Sequence, residues 1–229
     1  MRFLNPLLRN LGYEIHRSGA GADGSAFRLF EYQKPDGSFD YAKYKAAQIS
    51  GNHRKIDNVW VREENVEFLS RYIKEKVGDV KFGICHGTRR GKEQEWFRQY
   101  LGGEIVGTEI SDTATQFPNT IQWDFHEVKP EWRNSVDFIY SNSLDHSYDP
   151  KKCLDAWMSC LTESGICILE HSSGHERAHA TDPFGAYISQ MPYLILRWGD
   201  GAYCAREILD APSKKGSLQY MKYIVIQRV

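Results

Sequence analysis

Two hydrophobic periods alternate along this chain from residue 59 onward, one suited to buried strands and one to amphipathic helices. Residues 61–77 place Val66, Leu69, Ile73 and Val77 at three- and four-residue spacing, and Gly78 follows, which predicts a helix with a glycine stop. Residues 80–91 form a short apolar run and a turn carrying Gly83, Gly87 and Gly91. Residues 92–101 then put Trp96, Phe97, Tyr100 and Leu101 on one helical stripe, closed by Gly102 and Gly103. A second strand is predicted over 103–111, a helix-poor link over 111–119, and short strands over 120–126 and 136–141. Asp149 and Pro150 cap a helix whose Leu154, Trp157, Met158 and Leu161 share a face. Residues 165–170 read as a buried strand, 171–179 as its exit loop and 183–197 as mainly helical. Residues 202–209 and 219–227 are two strands with no helix between them, so they pair antiparallel.

Seven strands in this order predict a Rossmann-like α/β fold. It is a mostly parallel seven-stranded sheet with helices on both faces and a C-terminal antiparallel hairpin, with ligands at the strand C-termini. Residues 1–57 are less regular. Residues 6–15 suggest a short amphipathic helix, 19–25 a flexible loop, 27–32 a strand, 35–37 a turn, 41–50 a helix and 51–55 a basic loop. This part is expected to be an accessory segment that lids or flanks the site, or a packing extension, beside a domain over 58–229.

Composition narrows the partners. With 229 residues and a formal net charge of −1, no basic field points to nucleic acid or an anionic membrane surface. No run approaches a membrane span, and residues 1–12 lack the apolar core of a signal peptide. The five cysteines form no CxxC pair, which fits small core residues in a reducing cytoplasm.

Chemistry gathers at the predicted strand ends. A strand, a glycine turn and a helix bring backbone N–H groups close to a nucleotide-like ligand, although any βα turn carries glycines and the spacing here is not GxGxxG. Glu109 ends the second strand about 20 residues beyond the turn, where this architecture bonds ribose hydroxyls; the alternative is a solvated cap. Gly87, Glu109, Asp124 and Asn142 fall at four successive strand ends.

Residues from about 59 to 229 resemble the class I S-adenosylmethionine-dependent methyltransferases. The resemblance is carried by GICHGTR (83–89) in place of the acidic-x-G-x-G-x-G turn and VGTEIS (106–111) for the second-strand acid. Asp124, VDFIYSN (136–142), LDH (144–146), LTESGICILE (161–170) and the terminal hairpin complete it. It departs from the pattern at Gly83, where the family has an acid that meets the cofactor's amino end, and at Cys85 and Arg89, which replace glycines. The resemblance implies S-adenosyl-L-methionine as cofactor, cradled by backbone donors around Cys85, His86, Gly87 and Thr88. Glu109 would take the ribose hydroxyls, Ile110 and Phe125 the adenine faces and Asp124 the adenine amine. Ser141 and Asn142 would lie near the transferring methyl. Arg89 and Arg90 suit an anion; the plainer reading is a solvated helix start, but cations there oppose the helix dipole, and that conflict modestly favours a ligand role.

Methyl transfer to a hydroxyl needs alignment and a general base, and histidine has the right pKa. His146, on the loop after the fourth strand, is the first candidate and His171 the second; either also suits a structural loop histidine. His171, His175 and His179 repeat at four, but Ser172, Ser173 and Gly174 oppose one helix through all three, so no metal site is assigned. The sequence thus points to O-methyl transfer onto a small molecule or glycan precursor. The alternatives are a non-catalytic cofactor-binding or scaffold protein on the same fold and, lacking its fingerprint, a nucleotide-dependent oxidoreductase.

Overall fold

Neighbouring residues of the central strands go to opposite faces of one sheet, and this parting builds two cores in a computed structural model that describes residues 18–20 and 26–229. In β3 (Phe82–His86), Ile84 joins one buried cluster and Cys85 the other. In β6 (Val136–Ser141), Ile139 opposes Phe138 and Tyr140. In β7 (Leu161–Ser172), Cys167 and Leu169 oppose Ile166 and Ile168. Each face needs an apolar cover because both sides of a parallel sheet are buried. Val66, Leu69 and Ile73 of α2 (Glu63–Val77) and Phe97 of α3 (Lys92–Leu101) cover one face. Leu154 and Trp157 of α4 (Pro150–Cys160), with Leu194 and Ile195 of α5 (Met191–Gly199), cover the other.

With β4 (Glu104–Glu109), β5 (Thr120–Gln122), β9 (Tyr203–Asp210) and β10 (Met221–Arg228), the sheet order is β5-β4-β3-β6-β7-β10-β9. The first five strands are parallel, and β10 lies antiparallel between β7 and β9. The predicted seven strands and closing hairpin are therefore present. A second small sheet joins β1 (Ser18–Ala20), β2 (Ala26–Leu29) and β8 (Phe184–Gly185).

The differences from expectation have local causes. Leu161 opens β7 by pairing with Val136, so α4 ends at Cys160. The stretch 183–197 is helical only from Met191, because Phe184 and Gly185 pair with β2. The 120–126 run is a strand for three residues and then turns, as Asp124 accepts from the His126 N–H. The expected strand at 27–32 is regular only to Leu29. The helix α1 (Tyr41–Arg54) continues past Ser50 through the predicted basic loop. Gly51 sits inside it, where a Cβ would lie 3.2 Å from Thr181. The proposed helix at 6–15 lies outside the described residues, as does 21–25 of the proposed loop, while 18–20 form β1. All five cysteines are free thiols. No helix among the described residues is long and apolar enough to cross a membrane.

Gly83 is a packing requirement. A Cβ there would stand 2.2 Å from the Phe138 ring, which fills the space next to it on β6. Gly83→Ala is expected to lower stability by roughly 1–3 kcal/mol through overpacking. Adding Phe138→Leu should recover part of that loss. Urea unfolding of the two single variants and the double variant checks this; strictly additive losses would refute the contact.

Candidate functional site

Parallel strands end together, and their C-terminal loops enclose a cavity of about 490 Å³. Gly87, Thr88, Arg89 and Arg90 come from the β3–α3 turn, Glu93 from the start of α3, and Asn142, Ser143, Asp145 and His146 from the loop after β6. His175 and Asp182 reach it from the β7 exit, Lys55 and Trp60 from the α1–α2 connection and Lys215 from the β9–β10 loop. A narrower arm of about 50 Å³ shares Lys55, Gly87, Arg89, Ser143 and His146 with it. This arm runs between Glu109, Ile110 and Phe125 on the sheet side and Tyr44, Gln48 and Asn52 of α1.

The sequence candidates divide on this geometry. Gly87, Thr88, Glu109, Ile110, Phe125, Asn142 and His146 line one arm or both. Cys85, His86, Asp124, Ser141 and His171 line neither. Cys85 lies in the core under α2 and α3, and burial pushes its thiol up. His86 lies on the opposite sheet face, stacked on Trp157 with centroids 4.7 Å apart, and burial holds its imidazole down to about 3, so it is neutral. The Ser141 hydroxyl is spent on the His86 carbonyl at 3.0 Å. His171 belongs to β7 rather than to a loop; it stacks on Tyr220, and burial lowers it to about 3. The three histidines 171, 175 and 179 do not converge: His179 is exposed and pairs with Asp182 at 2.8 Å.

The turn after β3 also differs from expectation. The N–H groups of Gly87 and Thr88 both donate to the Thr108 carbonyl, at 2.9 and 3.1 Å, so they do not face a ligand. Gly87 has φ +76°, and a Cβ there would meet Ser143 at 2.5 Å; only glycine lets the two loops touch.

Asp124 is committed elsewhere. Its carboxylate accepts from His126 Nδ1 at 2.7 Å and from the Tyr41 hydroxyl at 2.8 Å. Burial pushes its carboxyl up, but these donors outweigh burial and hold it below the usual range. His126 Nε2 in turn meets Ser147 Oγ at 2.7 Å. This is the geometry of a serine–histidine–aspartate relay. Yet Ser147 is fully buried and lines no cavity described, so the chain ties α1 and two rim loops together.

The cavity keeps its own acids. Glu109 accepts from the N–H groups of Ser111 and Arg89 at 3.0 and 3.2 Å; burial still raises its carboxyl despite these donors and the Asn52 amide. Glu93, in the first turn of α3, accepts from Asn142 Nδ2 at 3.0 Å, and burial raises it to about 7. His146 holds Gln48 Oε1 at 2.9 Å through Nδ1, and its Nε2 lies 3.6 Å from Asp182. The sequence reading missed Glu93, Trp60 and Lys215. Glu93 reads as an ordinary helix-start acid, and the other two arrive from distant loops.

With that geometry in hand, no family model matches the chain and no curated protein matches it. Solved structures do. A Burkholderia thailandensis 1,6-didemethyltoxoflavin-N1-methyltransferase, with bound 1,6-didemethyltoxoflavin and S-adenosylhomocysteine, is 15% identical. It covers 91% of this chain and 96% of its own, with a TM-score of 0.63. The plantazolicin methyltransferase, in complex with a triazolic desmethyl analogue and S-adenosylhomocysteine, is 12% identical over 82% and 96%, with a TM-score of 0.60. The magnesium protoporphyrin IX methyltransferase from Synechocystis, with bound S-adenosylmethionine, is 11% identical over 84% and 99%, with a TM-score of 0.57. The chain has the class I methyltransferase fold. At these identities the likeness is one of fold, and the activity must be argued from the site.

Burial of Glu93 makes a pH prediction. Its folded value of about 7 lies above its ordinary 4.5, so the folded state binds this proton more tightly. Its contribution is complete below pH 4.5 and lost as pH rises through 7, a cost on the order of 3 kcal/mol. Glu93→Gln should therefore be more stable than the parent at pH 8, with the gap closing toward pH 4.5. Urea unfolding at both pH values reads this, and an equal gap at both would sink it.

Proposed function

We propose that the protein is an S-adenosylmethionine-dependent methyltransferase that methylates a hydroxyl of a small molecule or glycan precursor. One observation carries the reading: an acid between two apolar walls, Glu109 with Ile110 and Phe125, lies in an arm that opens past Gly87 onto a histidine, His146, in a larger chamber. A buried carboxylate suits a vicinal diol, and flat apolar walls suit a purine. The bound small molecule and adenosylhomocysteine of the Burkholderia neighbour support the same class of ligands.

The residues present fit the cofactor in a modified way. Position 83 has no acid and no room for one, and the Gly87 and Thr88 N–H groups are taken. In their place the chamber offers Glu93, beside Asn142, for an ammonium and Arg89 for a carboxylate. Asp124 is not assigned the adenine amine. When bound, S-adenosylmethionine supplies a methyl group on a sulfonium, already activated. The chain's task is then alignment and removal of the acceptor's proton. Gln48 fixes the base for this: its Nε2 donates to the Thr181 carbonyl, so its Oε1 faces His146 and sets the proton on Nδ1. The Nε2 lone pair of His146 is left to receive a hydroxyl proton, with Asp182 beside it for the charge that develops.

The N-terminal segment acts in this reading as a lid. The narrow arm is far smaller than the roughly 300–1,000 Å³ of ordinary small-molecule sites, because α1 side chains occupy it. Cofactor binding then requires α1 to shift. Amide exchange over residues 41–54 should change when S-adenosylhomocysteine is added; unchanged exchange with proven binding would remove the lid.

Titration calorimetry with S-adenosylmethionine and S-adenosylhomocysteine tests the reading as a whole. Both should bind, and Glu109→Gln should weaken binding at least tenfold. With an acceptor found by adenosylhomocysteine release, His146→Asn should lower kcat by about 10²–10⁴ while cofactor affinity changes little. A folded protein that gives no heat with either cofactor form would favour a scaffold on this fold.

A further inference from the structure

Beside the chamber, three side chains present only lone pairs to one another. Asp145, His146 and Asp182 bring one ligand atom each within 4.8 Å of the others. The Asp145 side chain is 8% exposed, and its Oδ1 is buried without a hydrogen-bond partner. Asp182 Oδ1 likewise has no hydrogen-bond donor and faces His146 Nε2 at 3.6 Å. That nitrogen carries no proton in the neutral ring, because Gln48 Oε1 requires the proton on Nδ1. Two carboxylate oxygens and an imine-type nitrogen therefore converge with no hydrogen between them. Two further imidazoles meet the remaining carboxylate oxygens: His179 Nε2 lies 2.8 Å from Asp182 Oδ2, and His175 Nε2 lies 3.9 Å from Asp145 Oδ2. An orphaned buried carboxylate oxygen is costly, and a cation among the three atoms removes the cost.

We propose that Asp145, His146 and Asp182 bind one divalent cation at the wall of the chamber. Mixed oxygen and nitrogen donors select a first-row divalent ion such as Mn²⁺ over Ca²⁺. Three protein ligands leave positions open, and the chamber beside them also contains Lys55 and Lys215. Those positions take an oxygen donor, either a hydroxyl or a carboxylate of the acceptor. Ion and proton compete for one lone pair on His146, so with the ion bound the acceptor oxygen meets the ion and not the imidazole. The binding itself needs no cofactor and does not rest on methyl transfer.

Mn²⁺ titrated into the full chain, stripped with a chelator and followed by electron paramagnetic resonance, tests this. One ion should bind per chain, and Mn²⁺ should raise the melting temperature. Asp182→Asn, at the more exposed of the two carboxylates, and Asp145→Asn should each weaken binding at least tenfold. Glu176→Gln, outside the three, should bind as the parent does. No bound Mn²⁺, or Asp182→Asn binding as tightly as the parent, overturns the site, and should Asp145→Asn fail to fold, Asp182→Asn alone decides. Adenosylhomocysteine binding by the stripped protein is measured separately, so loss of the ion site and loss of the methyltransferase reading are distinguishable.

Discussion

The register of β3 against β6 decides where every group at the rim falls. Two features fix it. Gly83 lies opposite Phe138 and leaves the space its ring fills. Asp137 then accepts from the N–H groups of Lys81 and Phe82 at 2.7 and 3.0 Å, tying the start of β3 to its neighbour. A slip of one residue would turn each side chain to the other face and drive Phe138 against a residue with a Cβ. With the register held, His86 pairs with Ser141 and the next turn brings Gly87 against Ser143. The floor of the chamber is thus the extension of a packing constraint about five residues away in sequence.

How much of this the sequence discloses follows from which forces leave a periodic trace. The sheet strands do, because they are apolar and both faces are covered. The helix α1 does so only over 41–50, and its last turn is hidden because its buried face is Tyr44, Gln48, Gly51 and Asn52, a polar stripe with a glycine that reads as a break. That stripe faces rim loops, where hydrogen bonding replaces apolar burial. The turn after β3 was legible as a turn but not as a closed one. Arg89 adopts φ +39° without being glycine, and the preceding N–H groups fold back onto Thr108. Asp124 was legible as a polar strand end, yet its partner sits only two residues on, and an Asp-x-His spacing signals local capture rather than a free acceptor. His146 and His171 look alike in sequence, each placed at a strand's exit. Four more residues of pairing with β10 keep 169–172 in the sheet and bury His171, while the β6 loop turns away at Ser143.

Access separates two similar polar chains at the rim. Ser147, His126, Asp124 and Tyr41 form a connected relay in which no buried side-chain polar atom lacks a hydrogen-bond partner. Tyr148 closes over His126 at 3.9 Å between ring centroids. A satisfied network stiffens the rim and anchors α1. The chain through Gln48, His146 and Asp182 is incomplete, and its unpaired end faces the chamber. Hydrogen-bond accounting, rather than residue type, tells the locking histidine from the one available for chemistry.

The same accounting says which ligands the proposed site would favour. Glu93, Glu109, Asp145 and Glu170 are all buried near the strand ends, and burial raises each carboxyl. Glu170 offsets its burial with donors from Trp60 and Tyr140, but Asp145 keeps an oxygen with none. Across the chamber, Arg89 donates to the carbonyl of Asn58 and Lys215 to that of Val59, neutral acceptors that do not cancel a positive charge, whereas Arg90, on the Asp57 carbonyl, also meets the Asp57 carboxylate at 3.5 Å. Burial raises Glu93 and Glu109 more than the nearby Arg89 charge lowers them, so acids and bases so arranged neutralise one another only in part. A ligand that carries both signs recovers on binding the solvation that folding removed, and a neutral one recovers little. In the proposed function, the stability given up in burying those acids would become selectivity for a zwitterionic guest.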